Sequence, residues 1–423
     1  MDPGELARAY VLLALRCDRV LPGLVDSYTG PPGQRQQVAG ESSPQPADLA
    51  ATAARLRGAL ADTPMDEARR DFLDGQLGAV HGLMRRAAGI RVSYRAELRT
   101  YFGVTAARSN PDVLRQAHAR LAEVLPGGGP LAARMEAHRG REEVPAELRG
   151  PVLRALSEEL RALTRRELPL PGGEGVDYES AGDQPWSGLN RDLGGFRSRV
   201  VVNTETTRRF SELVRLVAHE AYPGHHVERC RARTELVDRR GWPEHSVFLV
   251  NTPRCVLSEG LAEVGLVAAA GPDWVRWAAG LLGPLGVRVD VELVSRVEEA
   301  FAVLRGVRQD AALMLHQSRA STDETVAYLR RWLLVGDRRA RQMLRFPKHP
   351  MWRAYTTTYV EGARLVSAWL DARPPGQPAL RRFGRLLDEP LTPAALRAEL
   401  SAAGPTGAGT ANGGPYDTEV NGG

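Results

Sequence analysis

The stretch LVAHEAYPGHHVERC, residues 216–230, decides how the rest of the chain is read. It sets three of the nine histidines within eight positions, beside Glu220. Upstream, Phe210, Leu213, Val214, Val217 and Ala221 recur at helical spacing, so His219 and Glu220 fall near the end of an amphipathic helix. In the zinc-binding pattern HExxH, two histidines one helical turn apart share a face and a tetrahedral ion. Here Pro223 stands where the second histidine belongs, and His225 and His226 follow it. On a regular helix His225 is about 240° round from His219, while His226 is within about 20° in phase but about 10.5 Å further along. Neither works on a straight helix. Proline removes a backbone donor and clashes with the preceding turn, and glycine accepts conformations closed to other residues. A two-residue bulge at Pro223-Gly224 restores His225 to the phase of a second ligand, whereas a sharp kink swings His226 inward. Both remain candidates at this level.

A catalytic tetrahedral site needs a third protein ligand and one open position. The segment RCVLSEGLAEVG, residues 254–265, offers Glu259 and, one helical turn on, Glu263. Glu259 as ligand and Glu263 as the acid that steadies a ligating histidine match the thermolysin-like arrangement. The competing assignment puts both acids on a solvated helix face. Glu220 directly follows the first ligand, which lets a carboxylate face a water on the metal without binding the ion itself, so it is the candidate general base. Zinc in such a site lowers the pKa of a bound water to about 7.

Composition bounds the alternatives. A chain of 423 residues with 43% hydrophobic and 25% charged residues is ordinary for a globular protein with a substantial core. The formal charge of +5 comes from 56 basic residues against 51 acidic ones, and Lys348 is the only lysine. The two signs are interspersed, without the single-sign stripe that a phosphate-binding face needs, so nucleic acid is not expected as a partner. Cys17, Cys230 and Cys255 are odd in number and far apart, which argues against a disulfide framework and for a reducing compartment. The apolar run near the N-terminus is broken by Glu5, Arg8, Arg16 and Asp18, the pattern of an amphipathic helix and not of a secretion signal. No run approaches the length of a membrane span. A cytoplasmic protein with no membrane partner is expected.

Helical periodicity dominates the chain. Starts are expected at Thr63-Pro64, Asn110-Pro111, Ser321 with Glu324 as a capping box, and Thr392-Pro393. An N-terminal helical lobe over 1–167 is expected to join, through an irregular connection rich in Gly, Pro and Asp at 168–195, a metal-binding lobe over 196–400. The tail 401–423 is too poor in large apolar residues to fold. Within FRSRVVVNT, residues 196–204, the run of valines favours a strand.

HEAYPGHH resembles the hallmark of a bacterial family catalogued as domain of unknown function 885 and regarded as gluzincin-like metallopeptidases. LPGLVDSYTGPP (21–32), YFGV (101–104), SRVVVNT (198–204), HSVFLVNTP (245–253), SEGLAE (258–263), LHQSRASTDETVAYL (315–329) and YVEG (359–362) resemble family segments in the same order, up to about residue 400. The resemblance implies a mainly α, zincin-like fold with a small β element beside the active-site helix. It implies one zinc ion held by His219, His225 or His226, and Glu259, with Glu220 as catalyst. It also makes His316 and Tyr359 candidates for hydrogen bonding an oxyanion, each weighed against a satisfied core residue. For His245 the core assignment is preferred. SRVVVNT becomes an edge strand able to pair with an extended peptide. Two positions depart from the family: Ala312 stands where an aspartate is expected, and Tyr355 where a glutamine is.

The expected activity is zinc-dependent hydrolysis of amide bonds in a peptide or small peptide-like molecule. Two histidines and one carboxylate also make the triad of non-haem Fe(II) oxygenases, where Glu220 has no evident task. A metal-stabilised binding protein without catalysis is the third class.

Overall fold

The computed structural model describes residues 1–184 and 186–403. Helix accounts for 65% of the chain and strand for 7%, so the fold is mainly α. The elements that build the site are the helices α1 (Pro3–Val20), α2 (Glu67–Ala87), α3 (Phe210–Glu220), α4 (His225–Arg231), α5 (Pro253–Ala270), α6 (Val307–His316), α7 (Asp337–Met343) and α8 (Thr356–Asp371). Five short strands accompany them: β1 (Val25–Tyr28), β2 (Gly175–Ala181), β3 (Gly188–Gly194), β4 (Arg197–Asn203) and β5 (Val247–Leu249).

Side chains close the helix ends much as the sequence implies. Asn110 caps the helix Pro111–Val124, Ser321 and Glu324 form the capping box of Thr322–Leu333, and Thr392 caps Pro393–Ala402. Each such oxygen satisfies an amide that has no partner inside the helix. One start differs. The helix expected to open at Thr63-Pro64 begins at Glu67, because the Asp66 side chain accepts from the Arg69 amide.

The segment expected to be an irregular connection, 168–195, contains β2 and β3. Its polar composition hid them: they flank the valine-rich β4 in the order β2-β4-β3, and only one residue of each, Gly175 and Asn190, is buried. β4 pairs in parallel with β2, Gly175 opposite Arg197, and antiparallel with β3, Gly188 opposite Val202. It is therefore the central strand. Its backbone is engaged on both sides, which overturns the expectation that SRVVVNT offers a free edge to a peptide.

Three hydrophobic clusters fill the interior. One unites Leu6, Tyr10, Phe72 and Leu77 with Val247, Val256 and Tyr355; the second joins Leu156, Val200, Phe210, Val217, Leu261 and Trp369; the third gathers Leu114, Leu121, Val297 and Trp332. Each large apolar side chain buried in them contributes about 1.5–3 kcal/mol. Both of the first two clusters draw on residues before and after 168–195. α5 crosses between them, with Val256 in one and Leu261 in the other, so Glu259 sits where they meet. Among the described residues no single helix is long and apolar enough to cross a membrane. Ser401 and Ala402 still belong to the final helix, and the rest of the expected disordered tail, from Gly404 on, lies outside the described residues.

Candidate metal centre

α3 ends at Glu220, and the chain wraps once before α4 begins at His225. The Tyr222–Pro223 peptide bond is cis. The amide of Gly224 donates to the carbonyl of Ala218 at 3.0 Å, a bond that residue 222 makes in a regular helix. Two residues are thus looped out, and His225 takes the angular place of residue 223. Only glycine fits at 224, because a Cβ there meets the carbonyl oxygens of Ala218 and His219.

The bend brings His219, His225 and Glu259 together, with one potential ligand atom from each within 4.8 Å of the others. His219 Nε2 lies 3.3 Å and His225 Nε2 3.8 Å from Glu259 Oε2. A tetrahedral ion with bonds of about 2.0–2.2 Å separates its ligand atoms by roughly 3.3–3.6 Å. Glu259 is buried, and its two oxygens differ: Oε1 accepts from the Tyr355 hydroxyl at 2.6 Å, whereas Oε2 is buried with no hydrogen-bond partner. An orphaned carboxylate oxygen facing two imidazole nitrogens is a donor set that could hold a divalent cation.

Both imidazoles are backed by acids. His219 Nδ1 lies 3.6 Å from Glu263, and His225 Nδ1 lies 3.4 Å from Glu228, which Ser258 in turn bonds at 2.6 Å. Such partners fix the tautomer that leaves Nε2 free for a metal. Burial lowers the His219 pKa, but Glu259, Glu220 and Glu263 outweigh it and bring it to about 9. Burial pushes the Glu228 carboxyl up, yet His225, Arg254 and Ser258 hold it at about 2. Burial, together with Glu259 and Glu220, drives the Tyr359 hydroxyl well above its ordinary range, so it is a donor at neutral pH.

Glu220 lines a cavity with His219, Glu263 and Tyr359, and no polar group of the described residues bonds its carboxylate. Tyr359 stacks on His219 with ring centroids 6.2 Å apart. β3 runs beside α3, where a Cβ at Gly188 falls 3.4 Å from Glu220 Oε1.

Two of the candidate residues are not part of this group. His226 faces away: its Nδ1 meets Ser198 Oγ at 2.8 Å and its Nε2 meets Glu174 at 3.0 Å, so it ties the bend to the sheet. The angular shift that brings His225 in turns its neighbour about 100° out. His316 stands against the Pro347 carbonyl at 2.7 Å and packs on Tyr94, not on the cavity. His245 stacks on Phe72 in the core. Tyr355 is the residue whose hydroxyl bonds Glu259. Glu228, Ser258 and Tyr355 escaped the sequence reading. For Glu228 a signal existed, its i,i+3 spacing from His225, once α4 is known to start there.

No family model and no curated protein matches this sequence. Among solved structures, the chain is similar to a "putative lipoprotein" from Colwellia psychrerythraea, with 15% identity and a TM-score of 0.50 over 88% of this chain and 69% of that one. It is also similar to a "putative lipoprotein of unknown function" from Shewanella oneidensis, with 11% identity and a TM-score of 0.49 over 87% and 76%. At 15% identity the first likeness concerns the fold alone.

Proposed function

We propose that this protein is a zincin-like, zinc-dependent hydrolase of peptide or peptide-like amide bonds. The observation that carries the reading is the orphaned Glu259 Oε2 facing His219 and His225 Nε2, with each imidazole backed by its own carboxylate. A divalent ion held by these three residues supplies Lewis acidity toward a carbonyl and a water. The chain's residues divide the remaining work. Glu259 is kept in place by Tyr355, and Glu263 and Glu228 orient the two histidines. Glu220, free of competing hydrogen bonds, takes a proton from the attacking water and returns it to the leaving amine. The Tyr359 hydroxyl, protonated at neutral pH and beside His219, donates to the developing oxyanion.

An Fe(II) oxygenase uses the same donor set, but the unbonded Glu220 beside it favours hydrolysis. Glu220→Gln keeps the side chain's shape and removes the base. The variant is expected to bind zinc as wild type does and to lose at least about 100-fold in kcat on any peptide that wild type cleaves. Unchanged turnover in Glu220→Gln, or dioxygen consumption that depends on added iron, defeats the hydrolase reading.

A further inference from the structure

The cavity lined by His219 and Glu220 measures about 1410 Å³, above the roughly 300–1,000 Å³ usual for a small-molecule site. It has room for several residues of a peptide. Its wall carries an unusual number of arginines, most of them matched to acids. Arg209 meets Glu212 at 2.6 Å, and Arg215 and Arg305 share Glu298 at 2.7 and 3.0 Å.

Arg308, on α6, and Arg339, on α7, line the same cavity as His219, Glu220 and Tyr359 and, like Arg338 beside them, are not matched to an acid among the described residues. Among the described residues no carboxylate oxygen lies within 4.0 Å of either guanidinium. Arg339 donates to Gln342 at 2.9 Å, and Arg308 has no hydrogen-bond partner among the described residues. Solvent in the cavity reaches the Arg308 side chain, but protein crowds it. Burial, and after it the charge of Arg308, hold the Arg339 guanidinium down at about 10. Two cations that repel each other on a protein wall destabilise the empty cavity, and a bound anion relieves them. The planar guanidinium fork fits a carboxylate in two parallel hydrogen bonds. Glu263 and Glu212 also act on this pair, which leaves a charge better matched by a monoanionic carboxylate than by a dianionic phosphate.

We propose that Arg308 and Arg339 form a subsite that takes a carboxylate of the peptide substrate. The proposal rests on the hydrolase reading for the nature of the substrate. That carboxylate is either the C-terminal group, which makes the protein a carboxypeptidase, or an acidic side chain near the cleaved bond.

The test is affinity, measured on zinc-loaded Glu220→Gln protein by calorimetry. Three acetylated tripeptides serve as probes: Ala-Ala-Ala acid, Ala-Ala-Ala amide and Ala-Ala-Glu amide. The probe with the matching carboxylate, the acid or the Glu amide, is expected to bind about 10- to 100-fold more tightly than the Ala amide, the range of hydrogen bonds to a charged group. The added changes Arg308→Gln and Arg339→Gln together should bring the two peptides to within about twofold, with a melting temperature no lower than the parent because a like-charge pair is gone. Arg308→Lys, which keeps the charge and loses the fork, should give an intermediate preference. If only the Glu amide exceeds the Ala amide, the side chain is the source; if only the acid does, the terminus is; if both do, the subsite takes either. Equal affinity of all three peptides overturns the subsite, as does a preference that survives both substitutions. Wild-type cleavage of the preferred peptide is scored separately, so that a preference without cleavage removes the hydrolase reading and leaves the subsite standing.

Discussion

Glu259 has one oxygen committed and one unsatisfied, and this asymmetry organises the chemistry of the site. Tyr355 donates to Oε1 at 2.6 Å and so fixes the carboxylate plane, leaving Oε2 aimed at the histidines. In the metal-free protein a proton stands in for the cation. His219, with a pKa of about 9, carries it at neutral pH against the carboxylates of Glu259 and Glu220. This pKa is raised above 6.5, so the stabilisation of the metal-free fold is complete below about pH 6.5 and fades as pH rises through about 9. Zinc has to displace that proton. Its affinity should therefore rise about tenfold per pH unit between pH 7 and 8.5, with proton release visible as a buffer-dependent heat in calorimetry. An affinity flat across that range contradicts the assignment. His219, Glu220 and Glu259 were legible because their spacing on single helices carries the information. Tyr355 was not, since its role depends on which helix crosses α5 and at what height.

Two backbone approaches do most of the work at the level of the elements. The bend at Pro223-Gly224 folds the chain onto the last carbonyls of α3 and starts α4 with His225 facing inward. The sequence left a bulge and a kink open because the number of residues looped out is settled by hydrogen bonds that no pattern prints. His226 then has a different task, joining Glu174, which also accepts from Tyr222 at 2.6 Å, to Ser198 on β4. The other approach is the crossing of α5 and α8, where Gly260 and Gly362 meet: a Cβ on Gly362 lies 2.9 Å from the Gly260 amide nitrogen and also strikes the Val256 carbonyl. Gly362→Ala should force the helices apart and cost about 1–3 kcal/mol of unfolding free energy. Zinc affinity should fall with it, because Glu259 and Tyr355 face each other across that contact. A variant as stable and as tight for zinc as wild type shows that the crossing does not set the site. The polar strands β2 and β3 illustrate the opposite failure of pattern reading, since an exposed strand beside a buried one needs no apolar period of its own.

For the whole molecule, mainly helical character followed from the periodicity. The joining of the first two clusters across 168–195 did not follow, because packing between distant segments leaves no local mark. The centre lies where those clusters meet, on α3, α4 and α5, and opens to a cavity lined further along by α6, α7 and α8. The proposed function depends on three residues from this junction holding one ion, and metal content tests that directly. Elemental analysis of freshly purified protein should give one zinc per chain in wild type and in His226→Ala, and less than about a tenth of that in His219→Ala, His225→Ala and Glu259→Ala. Full zinc in His225→Ala, or its loss in a folded His226→Ala, contradicts the account.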